Sequence, residues 1–138
     1  MEARPSFAEI ALETAKIWSK RSEDLHQKVG ACILNADGRV LSVGYNGLVP
    51  KFKSNEDFWK NRDNRRDYII HAETNALSLI KKQDSPYLIA VNLLPCSSCA
   101  INIACYGIKN VVYSKDYERD QKAKDIFKFY EINLIQID

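Results

Sequence analysis

The chain has 138 residues and a mass of 15.8 kDa, 46% of it apolar and 28% charged, which suits one compact domain spanning 1–138 around a single core. Twenty Lys and Arg against eighteen Asp and Glu leave a net charge of +2, too small an imbalance to advertise nucleic acid or a membrane surface, so a small-molecule partner is favoured. No apolar run approaches the roughly 18–20 residues of a membrane-spanning helix, and the N-terminus, Met1-Glu2-Ala3-Arg4-Pro5, lacks the basic-then-apolar layout of a signal peptide, so the expectation is a soluble, cytoplasmic protein with no membrane partner.

After Pro5, a residue suited to a first helical turn, Phe7, Ala8, Ile10, Ala11, Leu12, Ala15, Ile17 and Trp18 fall mostly on one side of a helical wheel and predict a helix ending near Lys20. Residues 29–34 and 40–43 are β-prone runs joined by Asn35-Ala36-Asp37-Gly38, which predicts a hairpin. The stretch from Leu48 to about Tyr68 is highly charged, with Lys51, Lys53, Lys60, Arg62, Arg65 and Arg66, and has no sustained periodicity. A connection of about twenty residues is long unless it binds something or meets another subunit. The competing reading is a solvated insertion with a short helix around Phe58 and Trp59.

Residues 71–82 return to a helical pattern, with Ala72, Ala76, Leu79 and Ile80 available for packing and Asp84-Ser85-Pro86 as the stop. A buried strand over 88–94, a helix over 96–106 closed by Gly107, and a strand over 110–113 follow. Ala123, Ile126, Phe127 and Tyr130 mark a last helix before a strand over 134–137. This order predicts an α/β fold, a three-layer α/β/α sandwich with a five-stranded mixed sheet and the hairpin on one side.

Of the four cysteines, Cys32 and Cys105 are expected to pack as small apolar residues, whereas Cys96 and Cys99 form a Pro-Cys-x-x-Cys run where a strand ends and a helix begins. Both thiols then fall in a first helical turn, where backbone N–H groups favour the thiolate that ligates zinc. Taken alone the pair leaves a redox couple or packed cysteines as open alternatives. His71-Ala72-Glu73 opens the preceding predicted helix, and His71 can converge with the cysteines if the two helix starts meet at one sheet edge. Three ligands without a clear fourth point to a catalytic zinc, which keeps a position open for water. Glu73 is then a proton shuttle, protonating N3 of a cytosine, while water adds to C4 and ammonia departs. This H-x-E plus P-C-x-x-C signature is the one known for zinc base deaminases.

The chain resembles the cytidine deaminase-like superfamily and, within it, the deoxycytidylate (dCMP) deaminases. The resemblance runs through Gln27-Lys28-Val29-Gly30-Ala31-Cys32-Ile33-Leu34, Gly44-Tyr45-Asn46-Gly47, His71-Ala72-Glu73-Thr74-Asn75-Ala76-Leu77, Leu94-Pro95-Cys96-Ser97-Ser98-Cys99-Ala100 and Tyr106-Gly107-Ile108-Lys109-Asn110-Val111-Val112-Tyr113. Asn75 and the Gly-Tyr-Asn-Gly segment separate it from tRNA adenosine deaminases, which share the zinc motif. It implies deamination of dCMP to dUMP, supplying the thymidylate precursor, with one Zn2+ per chain, Glu73 catalytic, and His71, Cys96 and Cys99 as ligands. It also implies substrate contacts from Asn46 to the deoxyribose and from the backbone of Ala72 to the base, with Lys82 and Tyr117 as phosphate or base contacts. Family members are commonly hexamers regulated by dCTP and dTTP, which directs attention to Gly44, Tyr45 and Gly47 as effector-binding positions. Here that segment continues Leu48-Val49-Pro50, a departure from the family's usual Pro and second Gly. The competing functions are a dCMP/dCTP deaminase, a tRNA adenosine deaminase, and a zinc-stabilised scaffold without activity.

Overall fold

A computed structural model describes residues 3–138. Helix α1 spans Phe7–Ser19 and is started by a capping box, in which Ser6 Oγ accepts from the Glu9 N–H and the Glu9 carboxylate accepts from the Ser6 N–H. Strands β1, Gly30–Asn35, and β2, Val40–Tyr45, form the expected hairpin. Two short helices follow in the charged insertion, α2 over Glu56–Lys60 and α3 over Arg62–Tyr68, started by Asn55 and Asn61 side chains that accept from Phe58 and Asn64 N–H groups. Then come α4, Ala72–Leu77, β3, Pro86–Leu93, α5, Ser97–Cys105, β4, Asn110–Lys115, α6, Lys122–Phe129, and β5, Asn133–Gln136.

The strand order is β2-β1-β3-β4-β5, with β1 antiparallel to both β2 and β3 and parallel pairing from β3 through β5. Alternate side chains of the sheet serve two cores. Cys32, Leu34, Leu88, Ala90 and Val112 pack against Ala11, Leu12 and Ala15 of α1, while Ala31, Ile33, Ile89, Val91 and Val111 pack against α4, α5 and α6 through Ala76, Ile103 and Phe127. The three layers are thus one helix, the mixed sheet, and three helices.

Several expectations need correction. The helix predicted to reach Lys82 ends at Leu77: Leu79 and Ile80 N–H groups bond back three residues, to Ala76 and Leu77 carbonyls, so the chain tightens out of the α-helical repeat. Leu79, expected to pack, is 72% exposed, and Lys82 belongs to a separate 3-10 turn, Lys82–Asp84. Cys105 is exposed rather than packed, because the last residue of α5 faces away from the sheet, while Cys32 is buried as expected. On α1 the alanines and Leu12 meet the sheet, whereas Phe7, Ile10 and Ile17 are exposed. No helix among the described residues is long and apolar enough to cross a membrane.

Candidate active site

The site forms where the starts of α4 and α5 meet. His71 is the N-cap of α4 and Cys96 the N-cap of α5, both with extended backbone and neither spending its side chain on a capping bond. That leaves the imidazole and thiol free to turn toward each other. Cys99, three residues on, points from the same first turn of α5 and is buried.

His71 Nδ1 lies 3.2 Å from Cys99 Sγ and 3.5 Å from Cys96 Sγ, and the three ligand atoms lie within 4.8 Å of one another. Zn–N bonds of about 2.05 Å and Zn–S bonds of about 2.3 Å at tetrahedral angles require N···S separations of about 3.6 Å. The imidazole and thiols therefore fit one zinc ion, and a three-ligand set leaves a coordination position for a substrate or water. Cys96 is held at about 3, principally by the hydrogen bond from the Cys99 thiol, against burial and with help from His71 and Ser98. The same hydrogen bond, with burial, pushes Cys99 up. The bond to Cys96 also raises His71.

Glu73, in the first turn of α4, is 4% exposed, and burial raises its carboxyl to about 7, opposed by the backbone N–H and by His71. A carboxyl near neutrality inside a cavity can both take and give a proton. Ala72 is fully buried beside it, and its N–H in the first helical turn has no acceptor within the helix, so it is available to a ligand.

A pocket of about 150 Å³ gathers His71, Ala72, Glu73 and Cys96 with Asn46 and Tyr117. Asn46 is buried; its Oδ1 accepts from the Val29 N–H at 2.9 Å and its Nδ2 donates to the Gln27 carbonyl at 2.8 Å. One amide hydrogen and one lone pair remain for a ligand. Lys82, by contrast, is exposed and lines neither this pocket nor its neighbour.

Gly44, Tyr45 and Gly47 also lie outside the pocket lining, and each has a packing task. A Cβ on Gly44 would stand 2.6 Å from Ala76 N and 2.8 Å from the Ala72 carbonyl, so glycine lets β2 approach α4. The Tyr45 carbonyl accepts from Asn75 Nδ2 at 2.6 Å, and its ring stacks on Trp18 at 6.3 Å. Gly47 bridges to Ile70. Asn75, singled out in the sequence, thus ties the helix bearing Glu73 to the Gly-Tyr-Asn-Gly segment.

The sequence assigned no role in the pocket to Asp24, and offered Arg62, Arg65 and Arg66 only as competitors to Lys82 for a phosphate, with solvated surface as the alternative; all four line the pocket. Arg65 and Asp24 form a buried ion pair at 3.0 Å. Nothing periodic marks a pair 41 positions apart; the only local hint was that the insertion was too long to be idle.

The family model for the cytidine and deoxycytidylate deaminase zinc-binding region matches residues 1–115. The deoxycytidylate deaminase of Pongo abelii is 33% identical over 120 residues, covering 83% of this chain and 67% of the relative. That of Mus musculus is 31% identical over 132 residues, covering 88% of this chain and 74% of the relative. Among solved structures, the dCMP deaminase of cyanophage S-TIM5 in complex with dCMP and dUMP superposes with a TM-score of 0.79 at 26% identity, covering 99% of this chain and 100% of that one.

Proposed function

The chain belongs to the cytidine and deoxycytidylate deaminase family, and from that premise we propose how its residues carry out its reaction, the zinc-dependent hydrolysis of dCMP to dUMP and ammonia. The observation that carries the reading is the convergence of His71, Cys96 and Cys99 into one donor set beside a cavity lined by His71, Cys96 and the buried Glu73, whose carboxyl burial raises to about 7. Bound by those ligands, zinc supplies a Lewis acid that makes water nucleophilic near pH 7.

Glu73 accepts the proton that the attacking water loses and delivers one to ring N3, which makes C4 electrophilic. It then takes the second proton of that water, from the hydroxyl now on C4, and passes it to the amine leaving C4, so that one water enters and one ammonia departs with no net proton gained. Its burial supports this role, because a solvated carboxyl would stay ionised and could not donate. The Ala72 N–H suits a base carbonyl or ring nitrogen, and the remaining valences of Asn46 suit the 3′-hydroxyl of a deoxyribose. Tyr117 lines the same pocket, which suits the phosphate or base contact expected of it.

The finer expectations are a single deaminase domain over 1–138, a cytoplasmic setting, a hexamer, and regulation by dCTP and dTTP near Gly44, Tyr45 and Gly47. They are supported by the family resemblance.

The test is ammonia release from dCMP, dCTP, deoxycytidine, CMP and a tRNA anticodon stem by zinc-quantified protein, with and without dCTP and dTTP, alongside its mass in solution. Turnover of dCMP with little on the tRNA stem is expected. Inosine formation on the tRNA stem without dCMP turnover would overturn the reading.

A further inference from the structure

Asn46 is oriented by Gln27 and Val29, which precede β1 and belong to no regular element. Successive residues of a central antiparallel strand turn their N–H and C=O groups alternately to its two neighbours. For β1 those neighbours are β2 and β3, and each supplies an asparagine one residue past its last pair with β1, Gly30–Tyr45 on one edge and Ala31–Val91 on the other. From the β2 edge, the Asn46 amide takes the Val29 N–H and the Gln27 carbonyl at 2.9 and 2.8 Å. From the β3 edge, Asn92 Oδ1 accepts from the Gly30 N–H and Asn92 Nδ2 donates to the Lys28 carbonyl, both at 2.9 Å. Two side-chain amides, one residue out of phase, thus continue both ladders beyond the point where the backbones part.

The path of β3 explains why a side chain is needed there. Strand β3 stays paired with β4 as far as Leu93, and the Leu94 N–H still donates to the Lys115 carbonyl at 2.8 Å on the way to Cys96. It therefore leaves β1 after Val91. The pocket is lined from both sides of that parting, by Val29 and Asn46 on one and by Leu93 and Leu94 on the other. Asn92 spans the gap between the wall that leads to the metal ligands and the wall that carries Asn46. Upstream, Asp24 Oδ1 accepts the His26 and Gln27 N–H groups at 2.8 and 3.2 Å, so the segment is fixed at its start as well. Without Asn92, the Gly30 N–H and Lys28 carbonyl lose these partners, and the segment that aims Asn46 is gripped from the β2 edge alone.

We propose that Asn92 is a positioning residue for the sugar end of the substrate: its amide holds Gln27–Gly30 in register, and that segment aims the remaining donor and acceptor of Asn46 at the deoxyribose 3′-hydroxyl. The proposal rests on the dCMP reading above and on the role given there to Asn46. It extends sugar recognition to a residue that does not line the pocket.

The test is calorimetric titration of zinc-loaded protein with dUMP and with 2′,3′-dideoxyuridine 5′-monophosphate, which differ only in the 3′-hydroxyl, beside dCMP kinetics. The native protein is expected to prefer dUMP by about tenfold. Asn92→Ala is expected to lose most of that preference, to bind the dideoxy ligand as the native protein does, and to raise KM for dCMP more than it lowers kcat. If Asn92→Ala does not fold, Asn92→Asp, which keeps the acceptor for the Gly30 N–H and loses the donor to Lys28, is read in the same way. An undiminished dUMP preference in the variant, with affinity for both ligands lowered equally, would show a merely structural role and overturn the proposal while dCMP turnover stands. A native protein that binds both ligands equally would overturn the role of Asn46 and the proposal with it. A native protein inert on dCMP would instead overturn the functional reading itself.

Discussion

At one end of the cavity the metal ligands come from two short motifs, with Cys96 and Cys99 in one helical turn and His71 two residues from Glu73. At the other end the wall comes from Asp24, Arg62, Arg65 and Arg119, brought together from three separate segments. The first end needs only that two helix starts meet, and once they do, the spacing of the cysteines sets the donor geometry. The second depends on a buried ion pair between residues 41 positions apart. The metal-ligand set is thus encoded by local spacing and the far wall of the cavity by tertiary contact.

Removing a ligand should give the largest effect. Cys99→Ala is expected to lose both zinc, measured by atomic emission, and turnover, and chelation of the native protein should reproduce the loss of turnover. If Cys99→Ala kept stoichiometric zinc, the local-spacing account of the cradle would fail. Glu73→Gln separates metal binding from proton transfer: zinc is expected to stay, while kcat falls by about 10²–10⁴-fold.

At the other end, Asp24→Ala strands the Arg65 guanidinium and two loop N–H groups, for an expected cost of about 3–5 kcal/mol in urea denaturation. Replacing both partners by apolar residues, Asp24→Leu with Arg65→Met, should recover much of that cost, and a double variant no more stable than Asp24→Ala would show that the pair acts otherwise than as a buried salt bridge. Gly44→Ala probes the contact between the ends, since its methyl collides with α4 backbone, at an expected cost of about 1–3 kcal/mol.

The smallest effect concerns Asp120. The Ser97 backbone N–H, with the Ser97 hydroxyl, lowers its carboxyl below the usual range. Its stabilising contribution is therefore present above the unfolded value of about 3.9 and is lost as pH falls through the lower folded value. The stability gap between native protein and Asp120→Asn should narrow between about pH 5 and pH 3, as read by thermal midpoints.

The zinc ligands and Glu73 were legible because their chemistry requires particular residues at fixed short spacings, which survive in the linear sequence. The strands were legible for the same reason, as compact β-prone runs between turn residues. The end of α4 was not: Ala72, Ala76, Leu79 and Ile80 keep helical spacing, but burying Ile80 while exposing Leu79 is decided by the sheet beneath them. Asn46 was legible as a polar residue of interest, while its bonds to Val29 and Gln27, which fix its orientation, were not.

The sequence by itself determined the layer order of the fold, the residues that fit zinc, and the carboxyl placed beside them, because each follows from periodicity or spacing within a few residues. Only the tertiary structure decided which of the scattered cations line a cavity. Arg62 and Lys82 look alike in the sequence, as basic residues on charged or helix-end segments, and differ only in where the chain carries them. Both are exposed, but one is carried to the rim of the cavities by a helix locked through Arg65 to Asp24, and the other sits on a 3-10 turn that lines neither cavity. A long-range contact selects between them, the buried Asp24–Arg65 pair, and such a pair is a property of the folded whole.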